Sequence, residues 1–345
     1  MNNKKSKKIL VVRNDKLGDF ILSLPTFSLL KKHLPDYEIH ALVPSYTKDM
    51  AQLSGFIDKV IIDPTSSASL RQQIHTFFEI KAQKYEAVIT LFSTTRIGIF
   101  SYLSSIKYRI APATKIAQLF YNHKLTQRRS KSLKPEYEYN LDLGLKYLSD
   151  LGISVNELPQ PPFLKFEKKE LQEVRNEFCQ QYNINTKNIF IIVHPGTGGS
   201  ATNLNIDQYA TLIKNLTLNK NCTFIISAGP DEIEQARKLS ALLTDIPHII
   251  YHSKEGLVTF AKIIQLCNIF ISASTGPLHL AGALDRPTAA FYQRRRSATP
   301  LRWQTLNSEN RRLAFTPPET AGESDMSKID IIEAARVINK KYLNN

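Results

Sequence analysis

The chain is poor in cysteine. Its 345 residues include three, Cys179, Cys222 and Cys267, widely spaced and with no C-x-x-C pair. That pattern excludes a disulfide framework and supplies no zinc-ligand pair. Long apolar runs are also lacking. No uninterrupted stretch approaches the ~20 residues needed to span a bilayer as a helix. Ile9 to Val12, behind Lys4, Lys5, Lys7 and Lys8, is too short for a signal-peptide core, so a cytoplasmic location is expected. No short-period repeat, zinc-finger spacing, RNP-like aromatic signature, G-x-G-x-x-G or phosphate-loop lysine occurs. Acidic residues are the scarcer charge: 31 Asp and Glu against 45 Lys and Arg leave a net charge of +14. Anionic partners are therefore expected. With no nucleic-acid motif present, a membrane surface or a phosphorylated glycolipid fits that charge better than a nucleic acid.

What is present is an α/β alternation long enough for two domains. Strands are expected near 8–13, 38–43, 58–62, 87–91 and 107–111, and helices near 19–33, 47–53, 67–83, 95–104 and 138–151. Pro25 either kinks the first of these helices or divides it. Residues 112–136 show no periodicity and read as a functional loop. The run Leu158-Pro159-Gln160-Pro161-Pro162 marks a stiff connection. The expected organisation is a first domain over 1–158, a Pro-rich hinge over 159–166, a second domain over 167–325, and a terminal helix within 326–345. The second domain shows helices near 167–182, 206–218, 231–243 and 256–266. Its strands fall near 189–193, 223–227, 248–251 and 269–272, with Thr288 to Tyr292 as the last.

Two segments carry chemistry. Ser272 to Ala281 reads as a strand end, a tight turn and a helix start, with Pro277 suited to the first helical position. The free amides of that turn, with Ser274 and Thr275, can converge on a phosphate, and a capped βα turn explains the same residues equally well. His279 lies one turn further on, able to reach a phosphate or to pack among Leu278 and Leu280. Near the N-terminus, Lys8 to Arg13 is a strand followed by Asn14-Asp15-Lys16-Leu17-Gly18-Asp19 and a helix. Ligands in open parallel sheets bind beyond the carboxyl ends of the strands, which is where Asp19 falls. Alone, Asp19 is also read as a helix-terminal acid.

The run Arg13 to Asp19 with Pro25, the segment Val193-His194-Pro195-Gly196-Thr197-Gly198-Gly199, the segment Ala228-Gly229-Pro230-Asp231-Glu232 and the segment Ser274 to Ala281 resemble the heptosyltransferases of glycosyltransferase family 9. They occur in the family's order, and the resemblance spans about residues 8–303. It implies a GT-B fold, with two Rossmann-like domains facing across a cleft, and a terminal helix packing back on the first domain. It also implies an inverting transfer of heptose, or a related sugar, from an ADP-linked donor to a lipopolysaccharide core acceptor at the inner face of the cytoplasmic membrane.

In that resemblance Asp19 is the catalytic base, and Gly196, Thr197, Gly198, Gly199, Glu232, Ser274, Thr275, Gly276 and His279 bind the donor, with Glu232 near its ribose. Arg13, Lys16, Gly18, Arg128, Arg129 and Arg294 are candidates for acceptor or phosphate contacts. No D-x-D sequence occurs, so neither a metal nor another cofactor is expected. Two departures stand out: Ser274 where many family members have Asp, and Thr202-Asn203-Leu204-Asn205 where a cation and Asn-Trp-Pro are usual. Alternative readings are another GT-B transferase or a sugar-nucleotide epimerase, and a non-catalytic scaffold for anionic glycans or nucleic acid.

Overall fold

The computed structural model describes residues 6–114, 116–199, 201–216 and 221–343. Lys4 and Lys5 of the basic start, and the end of the helix expected over 206–218, lie outside them. The chain divides into two units: Met1–Arg129 with Leu133–Phe163, and Ser130–Ser132 with Leu164–Asn345. The division at Phe163 falls within the 159–166 segment.

The first unit runs β1 (Lys7–Val12), α1 (Leu17–Ile21), α2 (Leu24–His33), β2 (Tyr37–Pro44), α3 (Lys48–Leu53) and β3 (Lys59–Asp63). It continues with α4 (Leu70–Gln83), β4 (Ala87–Thr90), α5 (Thr95–Leu103), β5 (Tyr108–Pro112), β6 (His123–Leu125) and α6 (Glu136–Asp150). The six strands are parallel in the order β3-β2-β1-β4-β5-β6. Ile9 to Val12 of β1 are all buried, as a strand covered on both faces must be. Leu10 and Val12 meet Ile80 of α4 and Ile97 of α5 in one apolar cluster. On another side α2 packs with α6 at Gly144, where an added Cβ would lie 3.1 Å from Thr26 Cγ2. Pro25 divides the first helix in two: α1 ends at Ile21, and Pro25 sits in the first turn of α2, where its missing N–H costs nothing.

The second unit runs α7 (Lys168–Gln181), β7 (Ile189–His194), α8 (Ile206–Lys214), β8 (Cys222–Ala228), α9 (Ile233–Ala241) and β9 (His248–His252). Then come α10 (Leu257–Leu266), β10 (Ile269–Ala273), α11 (Gly276–Ala283), β11 (Thr288–Phe291), β12 (Arg312–Phe315) and α12 (Ile331–Ile338). Its sheet is parallel in the order β12-β11-β10-β7-β8-β9.

Two edge strands depart from the sequence reading. The stretch 112–136 holds β6, hydrogen-bonded to β5, and Thr288 to Tyr292 is followed by β12 beyond it. The apolar face of α12 is buried in the second unit's own cluster, where Ala334, Ala335 and Ile338 join Leu212 and Ile213 of α8. Asn339 Nδ2 fastens it by donating to the Asn215 carbonyl at 3.0 Å.

Candidate active site

The carboxyl end of β1 leads into Arg13, whose side chain is 2% exposed. Its Nε donates to Asp15 Oδ1 at 2.8 Å and its Nη2 to Asp19 Oδ1 at 2.5 Å. Its Nη1 donates to Glu136 Oε1 at 3.1 Å and to Asn140 Oδ1 at 2.9 Å. Arg129 Nη1 reaches the same Glu136 oxygen at 2.6 Å, and Asn140 Nδ2 is anchored on the Leu22 carbonyl at 3.1 Å. A guanidinium, with five N–H donors in a fixed planar fork, can serve these four acceptors at once, whereas an ammonium has only three donors. Arg13 and Arg129 are thus engaged with carboxylates, whereas Lys16 and Arg128 are exposed.

Asp19 lies in the first turn of α1, beside Gly18, and makes no side-chain cap bond there. Among the described residues only its Oδ1 is bonded to a side chain, and Oδ2 has no hydrogen-bond partner. Burial raises the Asp19 pKa above the usual carboxylate value, Arg13 opposes that shift, and Glu136 adds to it. Burial likewise pushes Asp15 up to about 6, against the pull of Arg13. Burial alone would lower Arg13, but the three carboxylates hold it above its ordinary value. A carboxylate fixed through one oxygen, with a raised pKa and the other oxygen unpartnered, has the properties of a general base.

In the second unit, β10, β7 and β8 are neighbours, so the loops that follow them lie side by side at the carboxyl end of the sheet. Gly198 and Gly199 adopt positive φ, 52° and 71°. Glu232 precedes α9 and folds back onto this glycine loop. Its Oε1 accepts from the Gly198 N–H at 2.7 Å and its Oε2 from the Gly229 N–H at 3.0 Å. A Cβ on Gly196 would overlap the Glu232 carboxyl group, so only glycine permits that approach. Buried His194 stands behind the carboxylate, with Nε2 at 3.5 Å from Glu232 Oε2 and Nδ1 at 3.0 Å from Ser227 Oγ. Burial lowers the His194 pKa, and Glu232 opposes it. Asn203 ties the loop's far side, donating to the Pro195 carbonyl at 2.6 Å and accepting from Tyr209 Oη at 2.7 Å. Thr197 is half-buried in the loop.

At the third loop, Thr275 caps α11, accepting from the Leu278 N–H at 3.4 Å, and lies 3.1 Å from Ser272 Oγ. Helix α11 starts at Gly276, which puts Pro277 at the second helical position. Thr275 is buried, while Ser274 and Gly276 are half-exposed at the start of the helix. His279 is buried, its Nδ1 has no partner, and burial pushes its pKa down to about 4. It is therefore a neutral imidazole. Arg294 donates to the carbonyls of Glu319 at 3.2 Å and Ala321 at 2.8 Å, and so braces a loop.

The structure thus gathers Arg13, Gly18, Asp19 and Arg129 in the first unit. In the second it gathers Gly196, Gly198 and Glu232, with the Ser274 to His279 turn on the adjoining strand. Sequence reasoning missed Glu136, Asn140, Ser227 and Asn203 as organisers. Among the described residues no three His, Cys, Asp or Glu side chains group as metal ligands, and no helix is long and apolar enough to cross a membrane.

Comparison with known proteins follows the same lines. The model of the family described as "Glycosyltransferase family 9 (heptosyltransferase)" matches residues 75–326. A Haemophilus influenzae protein named "Putative glycosyltransferase" is 44% identical over 328 residues, which cover 94% of this chain and 93% of that one. The Campylobacter coli lipopolysaccharide heptosyltransferase 1 is 26% identical over 348 residues, with coverage of 94% and 93%. The solved structure of Escherichia coli ADP-heptose lps heptosyltransferase II superposes with a TM-score of 0.77 at 17% identity, covering 98% of this chain and 99% of that one.

Proposed function

The chain belongs to glycosyltransferase family 9, has the GT-B fold and is a glycosyltransferase; from that premise we propose that it moves heptose, or a related sugar, from an ADP-linked donor to a lipopolysaccharide core acceptor, inverting the anomeric centre and using no metal ion. The observation that carries this reading is the half-buried Asp19 carboxylate, held at 2.5 Å by Arg13 through one oxygen and raised in pKa. Asp19 takes the proton of the acceptor hydroxyl. The acceptor oxygen attacks the anomeric carbon, the bond to the diphosphate breaks, and ADP leaves with the electron pair. Negative charge grows on the leaving oxygen, and amides already aimed at it are the economical way to stabilise it.

In this reading the Gly196 to Gly199 loop and the start of α11, with Ser274, Thr275, Gly276 and the neutral His279, line the diphosphate site. Glu232 shapes the glycine loop and presents its carboxylate to the ribose. The exposed cations Lys16 and Arg128 meet anionic groups of the acceptor, and a basic chain acting on a glycolipid works at the membrane surface. The E. coli neighbour is named for ADP-heptose and the C. coli relative for lipopolysaccharide, which supports both choices.

Calorimetric titration with ADP, UDP, GDP and CMP, with and without EDTA, tests the donor and the absence of a metal. Selective ADP binding that EDTA leaves unchanged is expected. Selectivity for another nucleotide redirects the donor, and binding of none contradicts the reading. Product analysis with donor alone separates a transferase, which at most slowly hydrolyses it, from an epimerase, which interconverts sugars.

A further inference from the structure

Between Glu86 and Glu136 the chain has no acidic residue. Residues 87–135 contain nine Lys or Arg and no Asp or Glu. This segment supplies α5 and the 3₁₀ segment Ile116–Phe120, which pack side by side, and α5 packs against α4. Together they present large apolar side chains to solvent. Leu70, Ile74 and Phe78 follow one stripe of α4 at four-residue spacing, and Leu70 is 75% exposed. Leu103 and Leu119 continue the surface, the latter 74% exposed. Ring contacts join the elements: Phe77 lies 5.7 Å from Phe100, and Tyr102 lies 6.4 Å from Phe120.

Cations rest on these same rings. Lys81 sits 5.7 Å from the Phe77 centroid, Arg96 5.7 Å from Phe100, and Arg109 5.5 Å from Tyr102. Arg71, Lys84 and Lys107 are exposed around them. The only acid on α4 is Glu79, 3.6 Å from Lys59, and Glu86 beyond its end lies 3.6 Å from Lys7. Neither α5 nor Ile116–Phe120 carries an acid.

We propose that this face docks on a lipid bilayer rich in anionic phospholipid, a partner that rests on the glycolipid-acceptor reading above. Exposed apolar side chains flanked by the exposed cations Arg71, Lys81, Lys84 and Lys107 match the bilayer boundary, where the apolar groups and aliphatic stems enter the acyl region and the charges stay among the headgroups. A second copy of the chain would set two cationic faces against each other, so charge complementarity favours the anionic lipid. The placement also suits the chemistry. Helices α4 and α5 follow β3 and β4, so both start at the sheet end that carries Asp19. Arg96 donates to Asp63 at 2.7 and 2.6 Å, and Asn14, next to Asp15, donates to the same carboxylate.

The test is co-sedimentation of the full chain with vesicles of phosphatidylcholine alone or with phosphatidylglycerol added, at low and high salt and with no sugar donor present. Each cation near an acidic leaflet is worth roughly fivefold in partitioning, so binding to the mixed vesicles should exceed binding to neutral ones by more than about tenfold and weaken with salt. The double variant Leu103→Ser/Leu119→Ser and, separately, Arg71→Glu/Lys107→Glu change exposed positions, and circular dichroism checks that each is folded. Both should lose about tenfold or more in vesicle binding while keeping wild-type ADP affinity. Equal binding to both vesicle types, or variants that bind like wild type, would overturn the proposal. So would a variant that changes the oligomeric state in light scattering without changing vesicle binding. Because the vesicles contain no glycolipid and no nucleotide is added, docking without ADP binding would contradict the donor reading alone, and ADP binding without docking this inference alone.

Discussion

Replacing Arg13 by methionine keeps much of the side chain's volume and removes its charge. Four hydrogen bonds to three carboxylates and one amide are then lost, at 2.8, 2.5, 3.1 and 2.9 Å. Removing one partner of a buried ion pair typically costs about 3–5 kcal/mol, because the other charge stays buried and unpaired. Here Asp15, Asp19 and Glu136 are left together, with Arg129 on Glu136 as the one remaining ion-pair partner among the described residues and the exposed Lys16 acting on Asp19 from a distance. The carboxylates can escape by taking up protons, so the cost must depend on pH. Asp15 and Asp19 already lie above their ordinary values, Asp15 at about 6, and losing Arg13 raises both further. The folded variant then binds more protons than the unfolded chain, so its stability rises as pH falls. The loss should be about 3–5 kcal/mol near pH 8 and should shrink by up to about 1.4 kcal/mol per pH unit for each carboxylate protonated on the way to about pH 5. Urea unfolding at several pH values measures it. The single tryptophan, Trp303, belongs to the second unit, so circular dichroism must be followed beside its fluorescence. A loss below about 1 kcal/mol, or one independent of pH, would refute the reasoning.

The acid limb of kcat/KM should lie above the ordinary carboxylate range near pH 4, since Asp19 must be ionised to act as base and burial raises its pKa. A limb at or below pH 4 would separate the rate from this carboxylate. Gly196→Ala should displace the Glu232 carboxyl group from the Gly198 and Gly229 amides and weaken ADP binding by about tenfold or more in calorimetry. Wild-type affinity in that variant would show that the loop tolerates the shift. His279 stays neutral down to about pH 4, so ADP affinity should show no His279-dependent change between about pH 5 and 8. Comparing wild type with His279→Gln across that range checks it.

The parallel sheets were legible because their central strands are buried on both faces and read as short apolar runs, as in Ile9 to Val12 and Ile269 to Ile271. The edge strands were not. His123–Leu125 is three residues long and Arg312–Phe315 is mostly half-exposed, so neither forms an apolar run. Asp19 and Glu232 could be found because each stands in a short motif after a strand. Their organisers could not. Glu136 lies 123 residues from Arg13 and, taken locally, is an ordinary acid in the first turn of a helix. His194 reads as the end of a strand until Ser227 and Glu232 are seen on either side of it. The terminal helix was legible only in part: its apolar face announces burial but does not name the partner, and α8 supplies one within the same unit.

Asp19 is proposed as the base of a sugar transfer from an ADP-linked donor. The most direct measurement is the rate of heptose transfer from ADP-heptose to a lipopolysaccharide core acceptor by wild type and by Asp19→Asn, in EDTA, with ADP affinity recorded for both. A wild-type rate that EDTA leaves intact is expected, with a fall of about 10²–10⁴-fold in the variant and ADP affinity little changed. An Asp19→Asn protein that transfers heptose at the wild-type rate would contradict it.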